Sequence, residues 1–121
     1  MMIRIFFAIL LLGAPLLMPT PSVAAQRTFT VVNDTDDAVW LNIEYDGPFF
    51  ILRQPLCTNP HSRNSATIKV QISSLPTTGW NYTINIEHKD CKHPILHSWY
   101  FNHVNDQISV SGSRGRWALK R

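Results

Sequence analysis

Only two of the 121 residues are cysteines, Cys57 and Cys91, so a single disulfide is the largest covalent framework the chain can build. No second long apolar run follows the first 25 residues, which leaves the rest of the chain without an expected membrane anchor. Catalytic signatures are equally scarce: there is no Gly-x-Ser-x-Gly elbow, no His-Glu-x-x-His pair and no phosphate-binding loop. Helical periodicity, internal repeats and low-complexity tracts are missing too, and no linker divides the chain. These absences point away from catalysis, and no cofactor is expected.

What is present begins with an export signal. Met1 to Arg4 brings a positive charge, Ile5 to Leu12 is apolar, and Ser22-Val23-Ala24-Ala25 supplies the small residues of a cleavage site. The apolar stretch from Ile5 to Met18, interrupted by Gly13 and Pro15, falls short of the roughly 20 residues a spanning helix needs. Residues 1–25 are therefore read as a cleaved signal peptide and residues 26–121 as one secreted or periplasmic domain. No cysteine follows the small-residue site, so a bacterial-type lipid anchor is not expected.

In an exported chain the lone cysteine pair reads as a disulfide between Cys57 and Cys91. The loop it closes is long enough for the chain-entropy estimate to reach about 4 kcal/mol, a large share of a small domain's stability. Loss of Arg4 with the leader takes 11 basic residues to 10 against 8 acidic, a surplus of +2 that predicts no strong polyanion binding. Asp34, Asp36, Asp37, Glu44 and Asp46 cluster early, whereas Lys89, Lys92, Arg114, Arg116, Lys120 and Arg121 dominate the last third.

Period-two alternation is the main structural signal. Ser65 to Ser73 places Ala66, Ile68, Val70 and Ile72 on one face, and Trp80 to Glu87 repeats the pattern. The turn formers from Ser73 to Gly79 predict that these two strands pair antiparallel. Thr28 to Asn33 and Ala38 to Tyr45 flank the Asp34-Thr35-Asp36-Asp37 turn and are expected to form a first hairpin. Pro48 to Arg53 adds a short strand, followed by a loop holding Pro55, Cys57 and His61. Ile95 to Phe101, Gln107 to Ser111 and Arg116 to Lys120 complete about eight strands, which predicts an all-β antiparallel sandwich.

Phe29-Thr30-Val31-Val32-Asn33, then Thr35, then Val39-Trp40 resembles the opening hairpin of thaumatin-like and osmotin-like proteins. The resemblance covers about a dozen residues and implies a secreted β-sandwich of a kind linked to defence and glucan binding. That family is usually larger and disulfide-rich. Thr35 stands where it typically has a cysteine, and its acidic cleft residues have no counterpart that can be placed here.

Trp40 is the leading candidate for ligand contact. Val39, Leu41, Ile43 and Tyr45 form the apolar phase of its strand, which puts Trp40 on the opposite phase with Asn42 and Glu44. An indole beside an amide and a carboxylate suits a sugar, whose C–H face stacks on the ring while its hydroxyls take hydrogen bonds. The competing reading buries Trp40 beneath a neighbouring loop or the Phe49-Phe50 segment. A second candidate is the basic C-terminal strand with Arg114, Arg116, Trp117, Lys120 and Arg121, where tryptophan among cations suits a bilayer interface.

His88, His93 and His97 surround Cys91 and raise a metal reading. Pro94 and the β-rich flanks put His93 and His97 on extended chain, about 13 Å apart, and a disulfide removes Cys91 from the ligand set. No metal site is assigned. The acidic turn lacks the central glycine and terminal glutamate of an EF-hand and is read as a turn. Asn33-Asp34-Thr35 and Asn81-Tyr82-Thr83 are glycan acceptor sequons in a eukaryotic source.

The leading expectation is a non-catalytic binding module for a glycan or a protein partner, monomeric or dimeric through an edge strand, with no nucleic-acid partner. The alternatives are a membrane-active protein using the basic strand and a metal-binding secreted protein.

Overall fold

The computed structural model of the protein describes residues 25–121, all-β, with eight strands in two four-stranded sheets. The expected leader lies outside the described residues except for Ala25. The strands are β1 (Ala25–Asp34), β2 (Ala38–Asp46), β3 (Ile51–Thr58), β4 (Ser62–Val70), β5 (Trp80–Glu87), β6 (Ile95–Phe101), β7 (Gln107–Ser111) and β8 (Ala118–Lys120). Sheet A runs β4-β1-β7-β8 and sheet B runs β3-β2-β5-β6. Every neighbouring pair is antiparallel except β1 and β7, which run parallel.

Alternation decides which side chains go inside. Phe29 and Val31 of β1, Val39, Leu41, Ile43 and Tyr45 of β2, and Trp80, Tyr82, Ile84 and Ile86 of β5 all point between the sheets. Ile68, Ile108 and Val110 join Phe29 and Val31 on the sheet A side of this core. One end of the core is aromatic: Tyr45 stacks on Phe50 at 4.3 Å between centroids and tilts against Trp80 at 5.0 Å. The Trp80 indole N–H donates to the Pro76 carbonyl at 2.8 Å, satisfying the one polar atom this ring takes inside.

Two pairings expected from the sequence are corrected. β1 and β2 do not form a hairpin, because β1 pairs with β4 and β7 in sheet A whereas β2 pairs with β3 and β5 in sheet B. The strand ending at Val70 and the strand opening at Trp80 likewise lie in different sheets. Alternation specifies the buried face of a strand, not its neighbour, and both strands of a sheet-to-sheet corner keep an inward apolar phase. The Asp34–Asp37 turn is such a corner. Asn33 at 1% exposure, Thr35 and Asp37 are buried within it and bond one another, which gives the corner its own polar anchor.

The third strand also runs further than expected, through Pro55 and Cys57 to Thr58. Pro55 is tolerated because β3 is an edge strand of sheet B, where its missing N–H costs no ladder bond on the outer side. Cys57 on β3 joins Cys91 in the β5–β6 connection, 34 residues apart in sequence. The bridge draws that connection back across β2 to the far edge of its sheet.

Candidate functional site

The inward phase of β2 leaves Trp40, Asn42 and Glu44 on the outer face of sheet B, each partly buried. Strand register builds the face around them. Trp40 lies between Cys57 on β3 and Asn85 on β5, and Asn85 lies opposite Ser98 on β6. One row along, Asn42 lies between Pro55 and Thr83, with Tyr100 of β6 beyond Thr83. Glu44 lies between Arg53 and Asn81.

Tyr100 is 72% exposed although Trp99 and Phe101 on either side of it turn toward the core. Trp40 and Tyr100 therefore stand on the same face, two strand spacings across and two residues along from each other, roughly 12 Å on the diagonal. Among the described residues neither ring stacks on another. Between them the Thr83 hydroxyl makes no hydrogen bond with the described residues. Sequence reasoning missed Tyr100, since only β2 shows an aromatic beside an amide and a carboxylate on one phase. Its signal was there in the outward phase of Ser98 and Tyr100.

The polar groups around Trp40 are held in place. Asn42 donates to the Glu44 carboxylate at 2.7 Å, and Arg53 approaches the same carboxylate at 3.5 Å. Ser98 donates to the side-chain amide oxygen of Asn85 at 2.7 Å. Asn85 and Glu87 belong to the outward phase of β5 yet are only 5% and 7% exposed, since the disulfide-tethered connection from His88 to Pro94 covers this end of the face. Burial pushes the Glu87 carboxyl above the ordinary range, and its hydrogen bond with Asn85 pulls the other way. The result is a face with one covered end, the partly buried Trp40 ring beside the disulfide, and an open end at Tyr100.

The C-terminal residues do not gather on one surface. Arg114 lies beside His88 and 3.6 Å from the buried Asp37 carboxylate, at the corner end of the sandwich. Arg121 lies at the other end, its guanidinium 4.1 Å over the Phe101 ring and its N–H donating to the His103 carbonyl at 3.0 Å. Trp117 tilts against His97 at 6.0 Å, and its buried indole N–H has no partner among the described residues. Lys120, opposite Ser109, points outward from sheet A, and Arg116 is exposed just before β8.

Of the three histidines around Cys91, His88 and His93 meet edge-on at 6.2 Å between centroids, His88 also sitting between Asp37 and Arg114 and His93 bonding Asp90, whereas His97 packs on Trp99 at 4.5 Å. Among the described residues no three ligand-type side chains converge as a metal would require. The two sequons also differ. Asn33 is buried with its carboxamide nitrogen facing three backbone carbonyls, whereas Asn81 is exposed on the sheet B face.

A cleft of about 350 Å³ opens at the aromatic end, bounded by Phe29, Trp80, Tyr82, Leu75 and Pro76 with Arg27 at its mouth. Arg27 is occupied there: it bonds Asp106 at 2.6 Å, donates to the Val104 carbonyl at 2.7 Å and covers the Phe29 ring at 4.3 Å. Nothing in the sequence marked this cleft, since its walls come from β1, β4, β5 and two loops. No family model matches the chain, and neither a curated protein nor a solved structure matches it at a significant level.

Proposed function

We propose that the protein is an exported, non-catalytic binding module that holds a glycan on the outer face of sheet B. The observation that carries this reading is the placement of Trp40 and Tyr100 on one face with Asn42, Thr83 and Ser98 between them. Two rings about two strands apart offer stacking surfaces to successive sugars, and the amides and hydroxyls between them offer hydrogen-bond partners. Asn42 bonded to Glu44 is preorganised, which reduces the ordering cost of binding. Export is supported by the leader pattern and by a disulfide, a bond that persists in oxidising compartments. The glycan reading is favoured over the membrane reading because Arg114 and Arg121 stand at opposite ends of the sandwich and engage local partners.

A glycan array probed with the wild-type domain and with Trp40→Ala and Tyr100→Ala tests the assignment. Specific glycan signals that fall at least tenfold in both variants, with circular dichroism unchanged, are expected. Signals that survive both substitutions would remove the site from this face.

A further inference from the structure

The outer face of sheet A has a charge character that the small net surplus conceals. Register places Arg63, Val32, Ser109 and Lys120 in one row across the four strands, and Lys69 beside Gln26 in a parallel row. Arg63 and Lys69 are six positions apart on β4, roughly 20 Å, and Arg63 and Lys120 are three strand spacings apart, roughly 14 Å. All three cations are exposed, and none has an ion-pair partner among the described residues. Between them lie paired hydroxyls, Thr28 with Thr67 at 2.8 Å and Thr30 with Ser65 at 2.9 Å.

Carboxylates are kept to the rim. Asp34, at the last position of β1, stands 3.4 Å from His61, and Asp106 is paired with Arg27 at 2.6 Å. Glu44 and Glu87 belong to sheet B, on the opposite side of the molecule. On the outer face of sheet B, by contrast, Glu44 faces Arg53 and Glu87 is covered.

We infer that the outer face of sheet A is a docking surface for an acidic polysaccharide, one carrying sulfate or carboxylate groups along its length. Cations spread over a flat face match charges spread along a chain, and the hydroxyls between them bond the sugar and its acid groups. An anionic bilayer is the less fitting occupant. Among the described residues the exposed large apolar side chains are Phe49, Ile51, Ile95 and Tyr100, and none of these lies on this face to anchor in lipid. The face also carries no ring on which nucleic-acid bases could stack.

Retention on immobilised heparin at low ionic strength tests the proposal. The wild-type domain is expected to be retained, with affinity falling as salt rises on a log–log slope of roughly −2 to −3 for three cations, taking the per-charge release of nucleic acids. Combined Arg63→Ser, Lys69→Ser and Lys120→Ser is expected in the flow-through. Combined Arg53→Ser, Lys89→Ser and Lys92→Ser removes equal charge elsewhere and is expected to stay bound, as is Trp40→Ala, which separates this face from the sheet B site. The proposal is overturned if the wild type passes straight through, or if the two triple variants elute together. It is also overturned if the domain sediments with phosphatidylserine vesicles but ignores heparin. All six cation positions are exposed or at a strand edge, and a thermal melt of each variant confirms the fold.

Discussion

The Asn33 carboxamide donates to the carbonyls of Asp37, Thr58 and Asn59 at 2.7, 3.1 and 3.0 Å, and its oxygen accepts from the Thr35 amide and hydroxyl. One side chain thus ties the β1–β2 corner to the end of β3. Asn33→Ala leaves several buried acceptors and donors unpaired and is expected to cost about 3 kcal/mol, read from the urea midpoint. A loss under about 1 kcal/mol would mean that the corner is held by its backbone alone.

A second corner contact is sensitive to pH. His61 lies between Asp36 at 2.6 Å and Asp34 at 3.4 Å, and its amide donates to the Thr35 carbonyl at 3.2 Å. The hydrogen bond to Asp36 lifts the imidazole above the ordinary value of 6.5; desolvation opposes this and Asp34 assists it. A value raised on folding adds stability below 6.5 that is lost as pH rises through the folded value. His61→Asn keeps a residue that tolerates the positive φ of 52° and is expected to flatten that part of the stability–pH curve. An unchanged slope in the variant would assign the pH dependence elsewhere.

At the level of elements, the disulfide is the main covalent restraint among the described residues. It joins β3 to the connection between β5 and β6, so it fixes the covered end of the sheet B face as well as limiting the unfolded chain. Replacing both cysteines by alanine is expected to lower stability by about 4 kcal/mol, with strand content retained at low denaturant. A midpoint within error of the wild type would show that the two sheets need no crosslink.

The strands themselves were legible because Val39 to Tyr45 and Tyr82 to Ile86 alternate so cleanly, and alternation is a local property. Their partners were not. Whether β1 pairs with β2 or crosses to the other sheet depends on contacts between residues such as Asn33 and Thr58, which lie 25 positions apart. The full length of β3 was hidden for a different reason, since Pro55 reads as a breaker until the strand is known to lie at an edge.

For the molecule as a whole, composition gives the amount of charge but not its position. A surplus of +2 in residues 26–121 does not say that Arg63, Lys69 and Lys120 share the outer face of sheet A while Glu44 faces Arg53 on sheet B. The basic C-terminal run looked contiguous in sequence and is divided in space because a strand alternates and a turn at Gly112–Gly115 carries Arg114 to the far end. Half of the candidate ligand face was legible from β2. Its other half needed the register of β6 against β5 to bring Tyr100 into line with Thr83.

The sheet B face is the claim on which the functional account stands. Amide chemical-shift mapping with an oligosaccharide selected from the array addresses it directly. Perturbations concentrated at Trp40, Asn42, Thr83, Ser98 and Tyr100 are expected. Perturbations confined to Arg27, Trp80 and the cleft beside them would contradict it.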